Sequence, residues 1–117
     1  KVLASDIDEI ATETSKANAD ANGLSDRIEV ITCAGFDHPK LRASAPYDLI
    51  LANILKGPLV ALAPDMSQNS GNGGYVILSG LLNTQADAVI EAYLDVSFEL
   101  VDHINIAEWS ILTFRKI

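Results

Sequence analysis

The sequence has one cysteine, few basic residues and no long apolar run, and each shortage excludes a class of protein. Its cysteine, Cys33, has no partner for an internal disulfide, which is compatible with a reducing compartment and predicts a cytoplasmic location. Eight basic residues against 16 acids give a formal charge of −8, which argues against direct nucleic-acid binding. No apolar run approaches the roughly 20 residues that span a bilayer, so we expect no membrane partner. A small-molecule cofactor or a basic protein partner is compatible with this composition.

The 117 residues are sufficient for one domain with its own core, and 49% of them are hydrophobic. The stretch from Tyr47 to Leu55, YDLILANIL, organises this domain. Its continuous apolar run predicts a strand that is buried on both faces in a parallel sheet. Asn53 follows at the carboxyl end of that strand, where ligands bind in open α/β sheets. The alternative for Asn53 is a turn former or helix cap.

The remaining pattern predicts an alternating α/β order that ends in a hairpin. A helix after the first strand would bury a stripe that includes Ile7 and Ile10, and Gly57-Pro58 would open a second helix. The glycine-rich cluster at 70–74 is interpreted as a turn, and Thr84 with Asp87 as a capping pair for the last helix. The short connection between the last two strands requires them to be antiparallel. The predicted strands are 1–5, 27–32, 47–52, 75–79, 98–104 and 108–115.

The chain resembles the class I S-adenosylmethionine-dependent methyltransferases, most closely the bacterial ribosomal protein L11 methyltransferase family. The resemblance covers nearly the whole chain and is carried by VLASDID, ANGLSDRIEV, YDLILANIL followed by PLVALAP, GGYVILSGLLNTQADAV and FELVDHINIAEWSILTFR. It implies a Rossmann-like sheet, mostly parallel, with an antiparallel carboxyl-terminal hairpin. It also implies S-adenosylmethionine as cofactor and a ribosomal protein of the large subunit as substrate.

The sequence departs from this family in two respects. The glycine-rich loop that follows the family's first strand has no counterpart here, and neither does the amino-terminal substrate-recognition domain. We therefore interpret residues 1–117 as a partial catalytic domain that lacks the first strand. Such a fragment is expected to be inactive alone, to bind the cofactor poorly and to self-associate through exposed sheet edges.

The resemblance assigns cofactor contacts to the ends of the first two strands. Asp6 would accept hydrogen bonds from the ribose hydroxyls, although a helix cap is the alternative, and Ile7 would contact the adenine face. Gly35 and Phe36 would lie near the adenine edge, unless Phe36 is a core aromatic. Asp8 is interpreted as a helix cap and Cys33 as a small buried hydrophobe. His38 and His103 have no second ligand at metal spacing, so no metal site is predicted.

Asn53 corresponds to the family's Asn after the fourth strand, which holds the attacking nitrogen and also lies beside the cofactor. In related amine and amide methyltransferases the motif reads Asn-Pro-Pro-Tyr, whereas here Asn53 is followed by Ile-Leu-Lys. The missing aromatic favours a flexible amine over a planar amide or base. Ser79 and Gly80 would line the same edge or serve as turn residues. The alternatives are a methyltransferase with another substrate and a non-catalytic α/β association module.

Overall fold

The computed structural model describes residues 1–117, which divide into two compact units, Lys1–Ser44 and Ala45–Ile117. In the first unit, two parallel strands flank a helix, in the strand–helix–strand order predicted from the sequence. Val2 lies opposite Ile28 and Asp6 lies opposite Thr32 in the two-stranded sheet. The elements are β1 (Val2–Asp6), α1 (Glu9–Ala21), β2 (Ile28–Thr32) and α2 (Pro39–Ala43).

Helix α1 buries a different face from the one predicted. Ile7 and Ile10 are 75% and 73% exposed, whereas Thr12 and Ala19 are buried. These two residues are seven positions apart and share one helix face. The Thr12 hydroxyl lies 2.7 Å from that of Thr32 on β2, so a hydrogen bond joins the helix to the strand. Aliphatic spacing alone gave the wrong face, because it does not include this polar contact with β2.

A short helix, α2, follows the loop after β2, and the sequence pattern did not indicate it. Pro39 occupies the first turn, where its missing N–H costs no hydrogen bond. His38 caps this helix, since its Nδ1 accepts a hydrogen bond from the Lys40 backbone N–H at 3.1 Å. His38 therefore has a structural role in this unit.

The second unit is built on a four-stranded sheet in the order β3-β4-β6-β5. Strands β3 and β4 are parallel, while β4–β6 and β6–β5 are antiparallel. The predicted antiparallel hairpin at the carboxyl end is thus confirmed. The elements are β3 (Tyr47–Asn53), α3 (Lys56–Ala61), α4 (Ala63–Asn69), β4 (Ser70–Leu82), α5 (Ala86–Leu94), β5 (Phe98–Ile106) and β6 (Trp109–Lys116).

Strand β3 is less buried than its composition predicts. Ile50 and Ala52 are half-buried, but Leu49 and Leu51 on the other face are 53% and 69% exposed. The expectation of burial on both faces is therefore wrong for this strand. It is an edge strand of its sheet, hydrogen-bonded only to β4.

Strand β4 is longer than predicted at both ends. The predicted turn at 70–74 belongs to the strand, since Ser70 pairs with Tyr47 before an irregular register leads to the pairing of Tyr75 with Leu49. The strand also continues beyond Gly80 to Leu82. Glycine-rich composition favours turns, but pairing with a neighbouring strand is a tertiary interaction that composition does not contain.

The helices of the second unit also differ in detail. The helix predicted from Gly57-Pro58 divides at Leu62, just before Pro64, which has no N–H for an intrahelical hydrogen bond. Thr84 and Asp87 are not the cap of α5. A 3₁₀ turn at Asn83–Gln85 precedes that helix, and the Leu82 N–H donates to Gln85 Oε1 at 3.0 Å.

The core of the second unit centres on three aromatic rings. Tyr93 lies 5.6 Å from Phe98 and 5.1 Å from Phe114 between ring centroids, and all three are buried. Fully buried aliphatic residues from α3, β4, α5 and β6 surround them: Leu59, Val76, Leu78, Leu81, Val89 and Leu112.

None of the helices in the structure is long and apolar enough to cross a membrane.

Candidate functional site

Asp6 lies at the carboxyl end of β1 with its carboxylate exposed. Its Oδ1 accepts a hydrogen bond from the Asp8 backbone N–H at 2.9 Å, whereas its Oδ2 has no partner within the chain. Asp8 caps α1, because its own Oδ1 accepts from the Ile10 N–H at 2.9 Å. Asp6 therefore holds the turn with one oxygen and presents the other to solvent, so the cap and ligand interpretations are compatible.

The loops after β1 and β2 start side by side. The Cys33 backbone N–H donates to the Asp6 carbonyl oxygen at 3.0 Å, which joins the ends of the two strands. Ile7 projects from the first loop with 75% of its surface exposed. Gly35 is exposed and Phe36 half-buried in the second loop. The structure thus brings four of the five predicted cofactor residues to one edge of the first unit, and the fifth, Asn53, belongs to the second unit.

Cys33 is half-buried at the start of the second loop. Its Sγ lies 3.5 Å from the Gly35 carbonyl oxygen, to which the thiol donates. Burial raises the pKa of the Cys33 thiol, and the negative charge of Asp37 raises it further. The thiol therefore stays protonated at neutral pH, in keeping with its interpretation as a small hydrophobe.

Asn53 is the last residue of β3, and its carboxamide makes no hydrogen bond within the chain. The helix-cap interpretation is wrong, because α3 begins at Lys56 after Leu55 and receives no side-chain cap. Asn53 is exposed and pairs with Ser79 of β4 in the strand register. An exposed carboxamide with free donor and acceptor atoms is therefore available at the carboxyl edge of the second unit's sheet.

Ser79 and Gly80 are not turn residues at the end of a strand. Both lie inside β4, where the pairing with β6 becomes irregular between Leu78 and Leu81. The sequence signal that could have indicated this is an isolated glycine within a strand pattern, which is typical of a bulge or a close backbone approach. The structure places this irregularity directly beside Asn53.

The other polar groups do not form a metal centre. No group of three His, Cys, Asp or Glu side chains is arranged to hold a metal ion. His103 Nε2 lies 3.2 Å from the Ser110 hydroxyl in the terminal hairpin. A cavity of about 330 Å³ in the first unit is lined by residues such as Lys1, Asp26 and Glu29. Because these residues lie at the amino ends of β1 and β2, that cavity is at the opposite end from Asp6.

The residues at the carboxyl edge of the first unit fit the nucleoside part of S-adenosylmethionine. A carboxylate with an unused oxygen can accept hydrogen bonds from ribose hydroxyls, and an exposed aliphatic side chain next to it can contact an adenine ring.

Glu29 has a different role on β2. Its pKa is lowered mainly by a hydrogen bond from Lys40, with which it forms a surface ion pair.

Comparison with known proteins identifies a family model and curated relatives that match this chain. The family model for ribosomal protein L11 methyltransferase matches residues 1–117. Proteins named ribosomal protein L11 methyltransferase from Brucella suis and Mesorhizobium japonicum are both 48% identical to it. The matches cover 79% and 86% of this chain and 32% and 34% of the relatives. The chain therefore spans about a third of the length of these curated relatives.

Solved structures agree with this comparison. The ribosomal protein L11 methylase from Lactobacillus delbrueckii subsp. bulgaricus matches with a TM-score of 0.89 and 29% identity over 100% of this chain and 58% of that one. A methyltransferase from Pyrococcus furiosus matches with a TM-score of 0.79 and 20% identity over 99% of this chain and 62% of that one, which shows the Rossmann-like fold alone. The chain belongs to the ribosomal protein L11 methyltransferase family.

Proposed function

We propose that the protein containing this chain transfers a methyl group from S-adenosylmethionine to an amine of a large-subunit ribosomal protein. The observation that carries the proposal is Asn53, an exposed carboxamide without a hydrogen-bond partner at the end of β3 in a chain of this family. An amide side chain without a hydrogen-bond partner, at a sheet edge where ligands bind, is available to bind a substrate. Family membership supports the cofactor and the substrate class.

Asp6 and Ile7 would hold the cofactor's nucleoside. Asp6 Oδ2 would accept hydrogen bonds from the ribose hydroxyls, while the hydrogen bond from the Asp8 N–H to Oδ1 holds the carboxylate in place. Ile7 supplies an exposed apolar surface for adenine, and Gly35 and Phe36 would lie along its edge. When bound, the cofactor supplies an electrophilic methyl group on a sulfonium.

Asn53 would direct the attacking amine. In-line displacement requires a neutral amine whose lone pair is aimed at the methyl carbon, and most of the rate then comes from positioning. The Asn53 Oδ1 accepts an N–H of the amine and so fixes the direction of the lone pair. As an uncharged acceptor, it does this without favouring the protonated ammonium, as a carboxylate would.

The substrate is proposed to be a flexible basic side chain or terminal amine. Lys56 stands three residues after Asn53, where related enzymes carry an aromatic, so no ring sandwiches a planar group. The net charge of −8 suits association with a basic ribosomal protein, because complementary charge speeds encounter. A ribosomal substrate supports a cytoplasmic location for the enzyme.

Methyl transfer from radiolabelled S-adenosylmethionine to purified ribosomal protein L11 tests this function in the complete enzyme. We expect label in the protein, released as methylated amino acids on hydrolysis. Transfer to ribosomal RNA instead would contradict the proposal, as would labelling of glutamine amides in place of amines.

Asp6→Ala is expected to weaken S-adenosylmethionine binding by ~1.5–3 kcal/mol, the range for hydrogen bonds to a charged group. Isothermal titration calorimetry of the complete enzyme measures this loss. Asp6→Asn separates the ribose role from the turn, because it keeps an oxygen for the Asp8 N–H but removes the charge. Wild-type affinity in Asp6→Asn, with loss only in Asp6→Ala, would assign the effect to the turn and refute the ribose role.

We also propose that the 117-residue chain self-associates through β3. Leu49 and Leu51 are exposed on this edge strand, and apolar edges pair with other chains. Leu51→Lys should lower the average mass measured by light scattering, because a charge opposes edge pairing. Leu94→Lys on α5 is the matched control, since Leu94 is 49% exposed but lies away from β3. A wild-type chain that is monomeric at all concentrations would refute the interface.

A further inference from the structure

The backbone of β4 approaches Asn53 at a single glycine. Gly80 follows Ser79, the strand partner of Asn53, and has a φ of +82°. A Cβ atom at position 80 would lie 2.6 Å from Asn53 Oδ1 and 3.1 Å from the Ile54 carbonyl oxygen. Real Cβ atoms essentially never approach a non-bonded heavy atom of a distant residue within 3.0 Å. The observed position of the Asn53 carboxamide therefore requires glycine here.

The close approach coincides with a β-bulge. Leu78 lies opposite Leu112 and Leu81 opposite Ser110, so two residues of β4, Ser79 and Gly80, face a single residue of β6. Bulges of this kind contain glycine in the left-handed conformation and are common beside active sites. Between Tyr75 and Leu82 the pairing with β6 is irregular only here, at the level of Asn53.

We propose that Gly80 is a positioning residue whose bare Cα fixes the Asn53 carboxamide for amine binding. No hydrogen bond within the chain holds that side chain, and the terminal torsion of asparagine is soft. Its Oδ1 occupies the space that a Cβ at position 80 would fill, so the bare Cα of Gly80 is what permits this orientation. The inference rests on the proposed function of Asn53 and adds the residue that keeps its oxygen aimed at the amine.

Gly80→Ala in the complete enzyme is expected to lower kcat at least tenfold without changing the KM for S-adenosylmethionine. The added methyl group displaces Asn53 Oδ1 and so misdirects the amine. Gly73→Ala is the matched control, because Gly73 lies in the same strand with a φ of +80° and the nearest atom to its Cβ is Arg115 Nη2, at 3.9 Å. It carries the same backbone strain without the contact and should change kcat less than twofold. Equal losses in the two variants would overturn the proposal.

A double variant tests whether Gly80 acts through Asn53. In the Asn53→Ala background Oδ1, the one atom closer than 3.0 Å to the added Cβ, is absent and only the 3.1 Å approach to the Ile54 carbonyl oxygen remains. Adding Gly80→Ala should therefore change kcat less than twofold. A tenfold loss in both backgrounds would mean that Gly80 acts elsewhere or that its substitution misfolds the enzyme, and either would overturn the proposal.

The Asn53 side-chain amide gives a readout that is independent of activity. In ¹⁵N-labelled enzyme, Gly80→Ala should shift its resonances and Gly73→Ala should leave them in place. Unshifted resonances in Gly80→Ala would refute the positioning role even if Asn53 is catalytic. Full activity of Asn53→Ala would instead refute the proposed function of Asn53, and with it the catalytic consequence of Gly80.

Discussion

Asn53→Ala should lower the kcat of the complete enzyme by about 100-fold, equivalent to ~2.7 kcal/mol of transition-state stabilisation. The reason is that alanine removes the oxygen that we propose accepts a hydrogen bond from the amine. The folded structure loses no hydrogen bond, since the Asn53 side chain makes none within the chain. Cofactor affinity should change less than turnover, because Asp6 and Ile7 would supply the nucleoside contacts. Initial rates at saturating S-adenosylmethionine, with calorimetry of cofactor binding, measure the two effects separately.

Two further variants sharpen this experiment. Asn72→Ala removes another exposed asparagine of the same unit and should leave kcat unchanged. Asn53→Asp keeps an acceptor oxygen but adds a negative charge, which raises the pKa of the bound amine and favours its unreactive protonated form. Its activity should therefore be low near neutral pH and recover as the pH rises. A loss of cofactor affinity as large as the loss of kcat in Asn53→Ala would contradict the amine-holding role.

The order of strands along the chain was predictable because each strand has its own apolar pattern in the local sequence. Apolar runs such as Tyr75–Ser79, separated by helical periodicity, indicate an α/β order whatever the tertiary contacts are. The terminal hairpin followed from connection length alone, because the few residues between the two strand patterns are too short a connection for a crossover helix. In the structure, Ala107 and Glu108 connect β5 to β6. These features depend on neighbours in sequence.

The errors concern features that depend on neighbours in space. Leu49 and Leu51 have the composition of a strand covered on both faces, but only the arrangement of other elements decides whether anything covers them. The buried face of α1 was misassigned for the same reason, since the contact between Thr12 and Thr32 joins residues that lie 20 positions apart.

The candidate site was predictable to the level of residue type and strand end. Asp6 and Asn53 could be selected because polar side chains directly follow apolar strands at the edge where ligands bind. The sequence pattern did not indicate the second role of Asp6, which accepts a hydrogen bond from the Asp8 N–H. Nor did it indicate that Asn53 Oδ1 occupies the space beside Gly80. A bulge shifts strand pairing by one residue, and sequence patterns do not show which side chain of the neighbouring strand lies beside it.

Tyr93 is the residue whose loss should destabilise the second unit most. It lies on α5, is fully buried, and contacts Phe98 of β5 and Phe114 of β6. Its hydroxyl donates to the Leu59 carbonyl oxygen at 2.9 Å. Because α3 ends at Ala61, that carbonyl belongs to the last helical turn, where carbonyls lack intrahelical partners. One side chain thus joins two helices to the antiparallel part of the sheet.

Tyr93→Ala is expected to lower the free energy of unfolding by about 3–5 kcal/mol, since it removes a buried ring and leaves a cavity. Tyr93→Phe keeps the ring and loses only the hydrogen bond, which contributes about 1 kcal/mol. Urea unfolding followed by the fluorescence of Trp109, the single tryptophan and part of the same unit, measures both. Equal destabilisation by the two variants would contradict the dominance of ring packing.

Alkaline pH provides a second test of the Tyr93 hydroxyl. Burial raises its pKa above the ordinary value of 10.0, so this group contributes full stability below pH 10. As the pH rises further, the unfolded chain ionises first and the folded state loses stability. Tyr93→Phe should reduce this alkaline loss, and the remainder should include Tyr47, whose pKa burial also raises. Urea midpoints compared between pH 8 and pH 11 measure the difference, and an undiminished alkaline loss in Tyr93→Phe would show that the hydroxyl ionises equally readily in both states.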